Sequence, residues 1–367
     1  MKRAVIYFGF QNPRKHKRGV ENVISVQAHA LPHYNKYYIY FDTEADLCRW
    51  DDVVAIGIKH SPARFLTLNV LVSTLTRRLE KRGYQVIIHS HNYLMSLFLW
   101  RKTDIFTVHD GLWYQKITVG SRIPSFFYWI ERLAYSRVRF PQCDSEFTYR
   151  NSLLGACRRT AKIIHCSTPL ERLEAQGTRH PNHFAPHDSY MILSVRSMEP
   201  RSRIDLLLDV AEQAQNEGTP WVFVVAGKGP MLAYYQNDSQ QRGLKNIHLL
   251  GFVNDLELAK LYAGSDCVLM TCEHGEGFGL PVIEGYLFGK PVIASNRCAV
   301  PEVIQSPTCL VENEALAIKE RLLRLTKDPR RPELYRTYYK DNFGNRVIED
   351  RFRQAYTELF SGMHGCA

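Results

Sequence analysis

The apolar residues of this chain follow two alternating patterns, short continuous runs and longer stretches with helical spacing. In the first half, the short runs predict buried strands at 4–10, 36–41, 53–58, 85–90 and 105–109. The longer stretches predict helices at 20–31 and 64–82. Strands separated by helices are typical of a parallel sheet that helices cover on both faces.

The alternation stops at residues 177–187, which are rich in His and Pro and predict a linker, and then starts again. Further strands are predicted at 190–195, 221–226, 247–250, 267–271 and 291–295, and helices at 204–216, 255–263 and 281–288. The fold class is therefore α/β, with two doubly wound, Rossmann-like lobes at 1–183 and 184–344. A last helix, within 345–367, is expected to cross back onto the first lobe.

Length and composition agree with two globular domains. The chain has 367 residues, 45% of them hydrophobic and 23% charged. It has no uninterrupted apolar run of about 18 residues that could span a bilayer, and its N-terminus lacks the cleavage site of a signal peptide. Its nine cysteines are scattered without a C-x-x-C pair, so we expect reduced thiols and a cytoplasmic protein.

The positive charge lies in the first half of the chain. Residues 1–180 carry 27 Lys and Arg against 14 Asp and Glu, a net charge of +13, whereas residues 181–367 carry a net charge of −3. Such a field favours phosphate-bearing acceptors, anionic lipid surfaces or nucleic acid, or serves solubility alone. No known nucleic-acid module is found, so we expect no nucleic-acid partner.

The strongest chemical signal is the string EGFGLPVIE at residues 276–284. Gly277 and Gly279 let backbone amides approach a ligand closely, and Pro281 suits the first turn of a helix. The N-terminus of that helix offers unpaired N–H groups to a phosphate. Glu276 and Glu284 would repel a pyrophosphate, so they are expected to bind hydroxyl groups.

This string resembles the donor-site signature of the family 4 retaining glycosyltransferases, which have the GT-B fold of two Rossmann-like lobes facing across a cleft. Residues 251–262 and 289–303 resemble the same family, and the likeness covers about residues 190–305. The resemblance implies that Glu276 binds hydroxyls of the donor sugar and that Glu284 binds the ribose of the nucleotide. It also implies further donor contacts from Phe252, Val253, Phe278, Gly279 and Leu280.

The segment after the strand at 190–195 resembles the family's Arg and Lys that neutralise the departing diphosphate. Arg196 matches the arginine, whereas Ser202 stands at the lysine position. Arg201 and Arg203 flank Ser202, and either could substitute because guanidinium groups bind phosphate oxygens well. The turn GKGP at 227–230 matches a family turn that is structural or near the nucleotide.

Two features of the first half also resemble the family. Gly19 matches a glycine-rich loop whose amides face the donor diphosphate, and His109 matches a histidine that contacts the donor sugar or the acceptor hydroxyl. An alternative is a metal site formed by His89 and His91, with His109 and Asp110 nearby. The chain contains no Asp-x-Asp triplet, which agrees with metal-independent catalysis.

Two segments of the first half allow alternative interpretations. The helix at 64–82 ends with Arg77, Arg78, Lys81 and Arg82, so it is either an interfacial amphipathic helix or lobe core with an exposed basic end. The aromatic and basic stretch at 126–140 is best explained by a helix that packs against the first sheet.

These inferences predict a retaining, metal-independent glycosyltransferase without a cofactor. It would move a sugar from a nucleoside-diphosphate sugar to a lipid-linked or polysaccharide acceptor, with Arg196, Glu276 and His109 as the catalytic residues. We expect peripheral binding to the anionic cytoplasmic face of the membrane. The alternatives are a nucleotide-sugar epimerase of the same fold and a catalytically inactive nucleotide-sugar-binding protein.

Overall fold

A computed structural model of the chain describes residues 2–9, 11–14, 19–109, 126–176 and 188–362. The contacts divide the chain into two compact units. Unit 1 comprises residues 1–166 and 346–367, and unit 2 comprises residues 167–345.

Unit 1 is built on an eight-stranded sheet. Its strands are β1 (Lys2–Phe8), β2 (Asn35–Asp42), β3 (Asp46–Trp50), β4 (Val53–Lys59), β5 (Tyr84–Ser90), β6 (Thr103–Val108), β7 (Val138–Cys143) and β8 (Lys162–Ile163). Their order is β3-β4-β2-β1-β5-β6-β7-β8, and all neighbours are parallel except β3 and β4. The chain order reverses between β1 and β5, so the carboxyl ends of these two strands flank a crevice of the kind that binds ligands in α/β proteins.

Helices cover both faces of this sheet. They are α1 (Gly19–His29), α2 (Arg64–Lys81), α3 (Tyr93–Phe98), α4 (Phe126–Ser136), α5 (Glu146–Asn151), α6 (Leu153–Ala156) and the last helix of the chain, α14 (Asn345–Gly362). The central strand β1 alternates between the two cores, because Val5 and Tyr7 face the α1 and α14 side whereas Ala4 and Ile6 face the α2 side.

Unit 2 has a six-stranded parallel sheet. Its strands are β9 (Tyr190–Val195), β10 (Trp221–Ala226), β11 (Ile247–Gly251), β12 (Cys267–Met270), β13 (Val292–Ser295) and β14 (Leu310–Val311). Their order is β11-β10-β9-β12-β13-β14, which is the doubly wound order with its reversal between β9 and β12.

The helices of unit 2 alternate with its strands. They are α7 (Ile204–Asn216), α8 (Leu232–Gln241), α9 (Asp255–Gly264), α10 (Leu280–Leu287), α11 (Val300–Val303), α12 (Ala315–Leu325) and α13 (Pro332–Asn342), with short 3₁₀ turns at Pro169–Gln176, Pro200–Ser202 and Pro307–Cys309. Local sequence explains several starts. Helix α9 begins with a capping box formed by Asn254 and Glu257, and α10 begins at Gly279 in a left-handed conformation with Pro281 in its first turn.

Helices α14 and α2 both contribute to the core of unit 1. In α14, Ile348, Phe352 and Tyr356 are fully buried against the sheet. In α2, the apolar stripe of Leu68 and Val72 is also core. Helix α2 therefore combines a core stripe, an exposed basic end and two exposed apolar residues, Leu66 and Val70, so both interpretations of α2 stay open.

The boundary between the two units falls between residues 166 and 167, earlier in the chain than the predicted boundary between residues 183 and 184, which lies outside the described residues. Residues 167–176 belong to unit 2. Ser167 bonds to Tyr339 and Asn345, and Glu171 accepts a hydrogen bond from Tyr339. These polar contacts hold the segment to α13, and composition alone does not reveal them.

The stretch at 126–140 was interpreted as one packed helix, which is wrong at its end. Helix α4 stops at Ser136, and Val138 starts strand β7. Arg137 and Arg139 interrupt the apolar run there and hide the strand in the sequence. Among the described residues, no helix is long and apolar enough to cross a membrane.

Candidate functional site

The predicted donor-site residues of unit 2 lie at the reversal point of its sheet. Arg196 directly follows β9, and Glu276 lies in the loop between β12 and α10. Since β9 and β12 are adjacent parallel strands, both side chains emerge at the same carboxyl edge. This edge is the standard ligand position of a doubly wound sheet.

Arg196 and Glu276 form an ion pair at the centre of this site. Nη1 of Arg196 lies 2.6 Å from Oε2 of Glu276, and the two side chains are only 5% and 16% exposed. Nε and Nη2 of Arg196 are buried and have no acceptor among the described residues. The guanidinium therefore neutralises Glu276 and still has donors to offer an anion.

The glycine-rich turn positions Glu276 from the other side. The backbone N–H of Gly279 donates to Oε1 of Glu276 at 3.0 Å. Gly279 has a φ of +102°, a conformation that side chains rarely adopt. The turn thus directs Glu276 and the N-terminus of α10 toward the same space.

Ser202, at the family's lysine position, and the two arginines beside it differ in their surroundings. Ser202 is fully buried, and its carbonyl accepts a hydrogen bond from Thr271. Arg203 is neutralised by Asp205 and by Glu273, at 2.8 Å. These carboxylates raise the pKa of the Arg203 guanidinium, with the hydrogen bond to Asp205 as the largest cause.

Arg201 has a different set of contacts. Its Nε donates to Glu199 at 2.6 Å, and its Nη1 donates to the carbonyl of Gly275 at 2.9 Å. It therefore lies against the loop that carries Glu276. Of the two flanking arginines, Arg201 is the one in contact with the glycine-rich segment.

Glu284 is buried one turn into α10, and both of its oxygens accept hydrogen bonds from hydroxyls of unit 2. Thr168 donates to Oε1 at 2.8 Å, and Tyr262 donates to Oε2 at 2.7 Å. Burial raises the pKa of Glu284 to about 7, and the two hydrogen bonds oppose this shift. A ribose hydroxyl would have to share or replace one of these partners.

The remaining predicted donor contacts divide into exposed and buried residues. Phe252 follows β11 with 70% of its surface exposed, and the Lys228 ammonium lies 5.3 Å from the centre of its ring. Val253, beside it, is half-buried. Phe278 is buried against Phe343, so its backbone alone can face a ligand.

Leu280 and the turn at 227–230 complete the edge of unit 2. Leu280 is half-buried at the first position of α10. Gly227 has a φ of +142°, and a Cβ there would lie 1.8 Å from the carbonyl oxygen of Arg196. This glycine is therefore required for the backbone to pack against the site, so the turn has a structural role, and its Lys228 also lies over Phe252.

In unit 1, His109 lies in a chain of hydrogen bonds. Its Nδ1 lies 3.1 Å from Oδ2 of Asp144, and its Nε2 lies 2.8 Å from Nδ1 of His91. Nε2 of His91 lies 3.1 Å from Oε1 of Gln27. Burial, followed by the neighbouring histidines His89 and His109, lowers the pKa of His91 well below its usual range.

Two hydrogen-bonding states satisfy this chain. In the first, Nε2 of His109 donates to His91, which in turn donates to Gln27. In the second, Nε2 of His109 accepts from His91, with the Gln27 amide reversed so that its nitrogen donates. In both states the ring nitrogens of His109 are bonded to protein groups, so a substrate hydroxyl reaches them only by displacing a partner.

The histidines do not have the geometry of a metal site. The rings of His89 and His91 stack with centroids 4.7 Å apart, and His89 bonds to Tyr356 and Thr107. No group of three or more metal-binding side chains converges within the described part of the chain. Asp110 lies outside the described residues.

Gly19, predicted to lie in a loop that faces the donor diphosphate, is the first residue of α1, after β1 at the carboxyl edge of the sheet.

Four residues at these sites were not assigned a role from the sequence. Thr168 and Tyr262 hold Glu284, Lys228 covers Phe252, and Asp144 orients His109. Asp144 comes directly after β7, so its position at a strand end would have signalled it once that strand was recognised.

The C-terminal part of the chain is similar to known proteins. Residues 176–342 match the family model described as glycosyl transferases group 1. The D-rhamnosyltransferase WbpZ of Pseudomonas aeruginosa is 24% identical over 196 residues, which are 53% of this chain and 49% of WbpZ. The O-antigen chain mannosyltransferase C of Escherichia coli is 25% identical over 163 residues, 43% of each chain. The matched stretch thus spans about half the length of these curated relatives.

Solved structures resemble the whole chain. Sucrose-phosphate synthase from Thermosynechococcus elongatus superposes with a TM-score of 0.79 at 18% identity, over 98% of this chain and 100% of the other. Anabaena HepE in complex with UDP and glucose gives a TM-score of 0.69 at 15% identity, over 97% and 100%. The chain therefore has the GT-B fold of glycosyltransferases, and residues 176–342 carry the likeness to their group 1 family.

Proposed function

We propose that this protein is a retaining glycosyltransferase of the family 4 type, a hexosyltransferase that takes its sugar from a nucleoside-diphosphate sugar. The observation that carries the proposal is the Arg196–Glu276 pair, which lies at the reversal point of the unit 2 sheet beside the N-terminus of α10. The relatives support glycosyl transfer in general, since their printed names are those of a D-rhamnosyltransferase and an O-antigen chain mannosyltransferase.

The pair explains how one site accommodates both a carboxylate and a diphosphate. Glu276 alone would repel the donor phosphates, but Arg196 neutralises it at 2.6 Å. The carboxylate then accepts hydrogen bonds from hydroxyls of the donor sugar. The free donors of Arg196 and the N-terminus of α10 stabilise the diphosphate as its bond to the sugar breaks.

The reaction is a front-side displacement. The acceptor hydroxyl oxygen attacks the anomeric carbon while the bond from that carbon to the diphosphate oxygen breaks on the same face. The acceptor proton passes to the departing phosphate oxygen, so the chain needs no basic side chain for this step. Arg201 assists Arg196, and Glu284 and Phe252 hold the ribose and the base.

The acceptor that we propose is a lipid-linked or polysaccharide precursor. Supporting it are the net charge of +13 in residues 1–180 and the relatives that build O-antigen chains. Peripheral binding at the cytoplasmic face of a membrane would place the enzyme beside such an acceptor.

Binding and product analysis test this function in sequence. Thermal shifts of the full chain with a panel of UDP- and GDP-linked sugars should identify one stabilising donor. NMR of the product should then show the anomeric configuration of the donor retained. Activity should survive exhaustive treatment with EDTA, and a loss that Mg²⁺ or Mn²⁺ restores would contradict the metal-independent mechanism.

A catalytically inactive nucleotide-sugar-binding protein is the second candidate. The buried Ser202 at the family's lysine position favours it, because one cation of the family's pair is missing there. Donor stabilisation without any hydrolysis or transfer would support this candidate. A changed sugar on the nucleotide would instead indicate an epimerase.

A further inference from the structure

We propose that an exposed aromatic face of unit 1 inserts into the interface of an anionic lipid bilayer. This tryptophan face consists of Phe98, Trp100, Trp129, Arg132 and Leu133. It deepens the proposed function, because a lipid-linked acceptor would be met at that surface.

The apolar side chains of the tryptophan face are largely exposed. Trp100 and Trp129 are each 66% exposed, Leu133 is 56% exposed and Phe98 is 48% exposed. Other large apolar residues of the same helices are buried, such as Met95 and Tyr135. Helix α4 therefore has a separate apolar face in addition to the one that packs on the sheet.

The elements that carry this face contact each other. Helices α3 and α4 pack together, and Arg137 after α4 donates to the carbonyls of Leu99 and Trp100. Trp129 and Leu133 are one turn apart on α4, and Arg137 directly follows the last residue of that helix. Asn69 of α2 accepts a hydrogen bond from the backbone of Trp100 and so fixes that tryptophan.

Arginines accompany both tryptophans. The guanidinium of Arg132 lies 5.6 Å from the ring centre of Trp129. Arg101 follows Trp100 and reaches Glu80, which lies among the basic residues at the end of α2. Tryptophan rings with adjacent arginines match the headgroup region of a bilayer, where the ring is buried and the guanidinium meets lipid phosphates.

The charge favours an anionic bilayer over a second copy of this chain. The exposed end of α2 adds Arg77, Arg78, Lys81 and Arg82 to the arginines of the tryptophan face. Two such faces would repel each other, whereas anionic lipid attracts both groups of cations. On α2 itself, Leu68 and Val72 are core, whereas Leu66 and Val70 are 57% and 52% exposed.

Vesicle cosedimentation with the full chain tests the proposal. Wild type should bind vesicles of phosphatidylcholine with 30% phosphatidylglycerol and bind pure phosphatidylcholine at least about tenfold more weakly. Trp100→Ala/Trp129→Ala should reduce binding to the anionic vesicles by about tenfold or more. Arg132→Glu should also weaken binding to the anionic vesicles, and the loss should be larger in low salt than in high salt.

A matched control exchanges two equally exposed apolar residues of unit 2. Tyr234→Ala/Leu316→Ala removes side chains that are 58% and 57% exposed and should leave vesicle binding unchanged. Equal binding by the tryptophan variant and wild type would overturn the proposal. So would a wild-type dimer that the tryptophan substitutions dissociate, since the occupant would then be a second copy.

The assay separates this proposal from the proposed function. Vesicle binding is measured without nucleotide, and the thermal shift with nucleotide sugars is measured without lipid. If the protein binds vesicles but no nucleotide sugar, the result would support the tryptophan face as a membrane contact and contradict the proposed glycosyltransferase function. If it transfers a sugar but does not bind vesicles, the result would support the proposed function and contradict the membrane contact.

Discussion

At the scale of single residues, the candidate site depends on which polar partners the carboxylates have. Glu276 bonds to Arg196 and to the amide of Gly279, whereas Glu284 accepts from two neutral hydroxyls. The first carboxylate therefore lies beside a cation. The second is buried without a cation, and its pKa is raised to about 7. Two glutamates of one sequence motif thus have different electrostatic roles.

Replacing Glu276 separates its roles in catalysis and in folding. Glu276→Gln keeps an oxygen for Arg196 and should lower the turnover number by on the order of 10²-fold or more, because a neutral amide aligns the sugar hydroxyls less well. Glu276→Ala should in addition lower the free energy of unfolding by about 1–3 kcal/mol, because Arg196 loses its partner. Kinetics and thermal unfolding measure the two effects.

The matched control for Glu276 is Glu212→Gln, an exposed carboxylate on α7 that contacts Arg242. It should leave turnover and thermal unfolding close to wild type. Normal turnover of a folded Glu276→Gln variant would remove this carboxylate from the reaction.

Replacing Glu284 tests its raised pKa through stability. The folded state binds the proton more tightly than the unfolded state, whose Glu pKa is about 4.3. The stabilisation that this proton provides is complete below about pH 4.3 and is lost as the pH rises through about 7. Relative to Glu284→Gln, the free energy of unfolding of wild type should therefore fall between these values, by at most about 1.4 kcal/mol per pH unit.

Denaturant unfolding of both proteins at pH 5, 6, 7, 8 and 9 measures this difference. It should become nearly level between pH 8 and 9, where Glu284 is ionised in both states. A difference that stays constant from pH 5 to 8 would show that Glu284 has an ordinary pKa.

At the scale of elements, the loop between β9 and α7 decides which cation accompanies Arg196. Both arginines reach the loop that carries Glu276. Arg203 bonds to the Glu273 carboxylate in this loop and to Asp205, whereas Arg201 bonds to the carbonyl of Gly275, the residue before Glu276. Arg203 has a φ of +52° at the position just before α7.

We expect Arg201 to take over the role of the family's lysine. Arg201→Ala should lower the turnover number by about 10- to 100-fold with little change in stability, because a cation beside the departing diphosphate is lost. Arg203→Ala should mainly lower the thermal unfolding temperature. Arg242→Ala, which removes an ion-paired arginine elsewhere in unit 2, is the control. A larger loss of turnover for Arg203→Ala than for Arg201→Ala would reverse the assignment.

At the scale of the whole molecule, charge and chemistry belong to different parts of the chain. Residues 1–180 carry a net charge of +13, and residues 181–367 carry a net charge of −3 together with the Arg196–Glu276 pair. Surface binding by unit 1 and nucleotide binding by unit 2 should therefore be separable by substitution.

Changing the four exposed basic residues at the end of α2 to Glu tests this separation. The variant Arg77→Glu/Arg78→Glu/Lys81→Glu/Arg82→Glu should no longer bind anionic vesicles. Each basic residue near an anionic surface contributes about 1 kcal/mol to binding, and this attraction is screened beyond about 8 Å. Nucleotide-sugar binding, measured by calorimetry, should stay unchanged.

The control for this variant changes four exposed basic residues of unit 2, namely Lys245, Arg324, Lys327 and Arg331, to Glu. It alters the net charge equally but should retain vesicle binding. Equal loss of binding in both variants would show that total charge matters, and the end of α2 would not be a specific contact.

The sequence by itself determined the local features. Apolar runs predicted the central strands of both units, because a buried parallel strand needs apolar residues on both faces. Gly279 and Pro281 predicted the start of α10, because positive φ and a fixed φ are properties of single residues. Edge strands such as β3 and β8 are short and partly polar, and their pattern did not reveal them.

Only the tertiary structure decided which distant residues meet. Thr168 holds Glu284 across 116 positions, and Tyr356 bonds to His89 across 267. Such pairs depend on strand order and helix packing, which local periodicity does not encode. The same holds for exposure: Trp129 and Leu133 look like core in the sequence, yet α4 turns them outward because its opposite face already fills the space above the sheet.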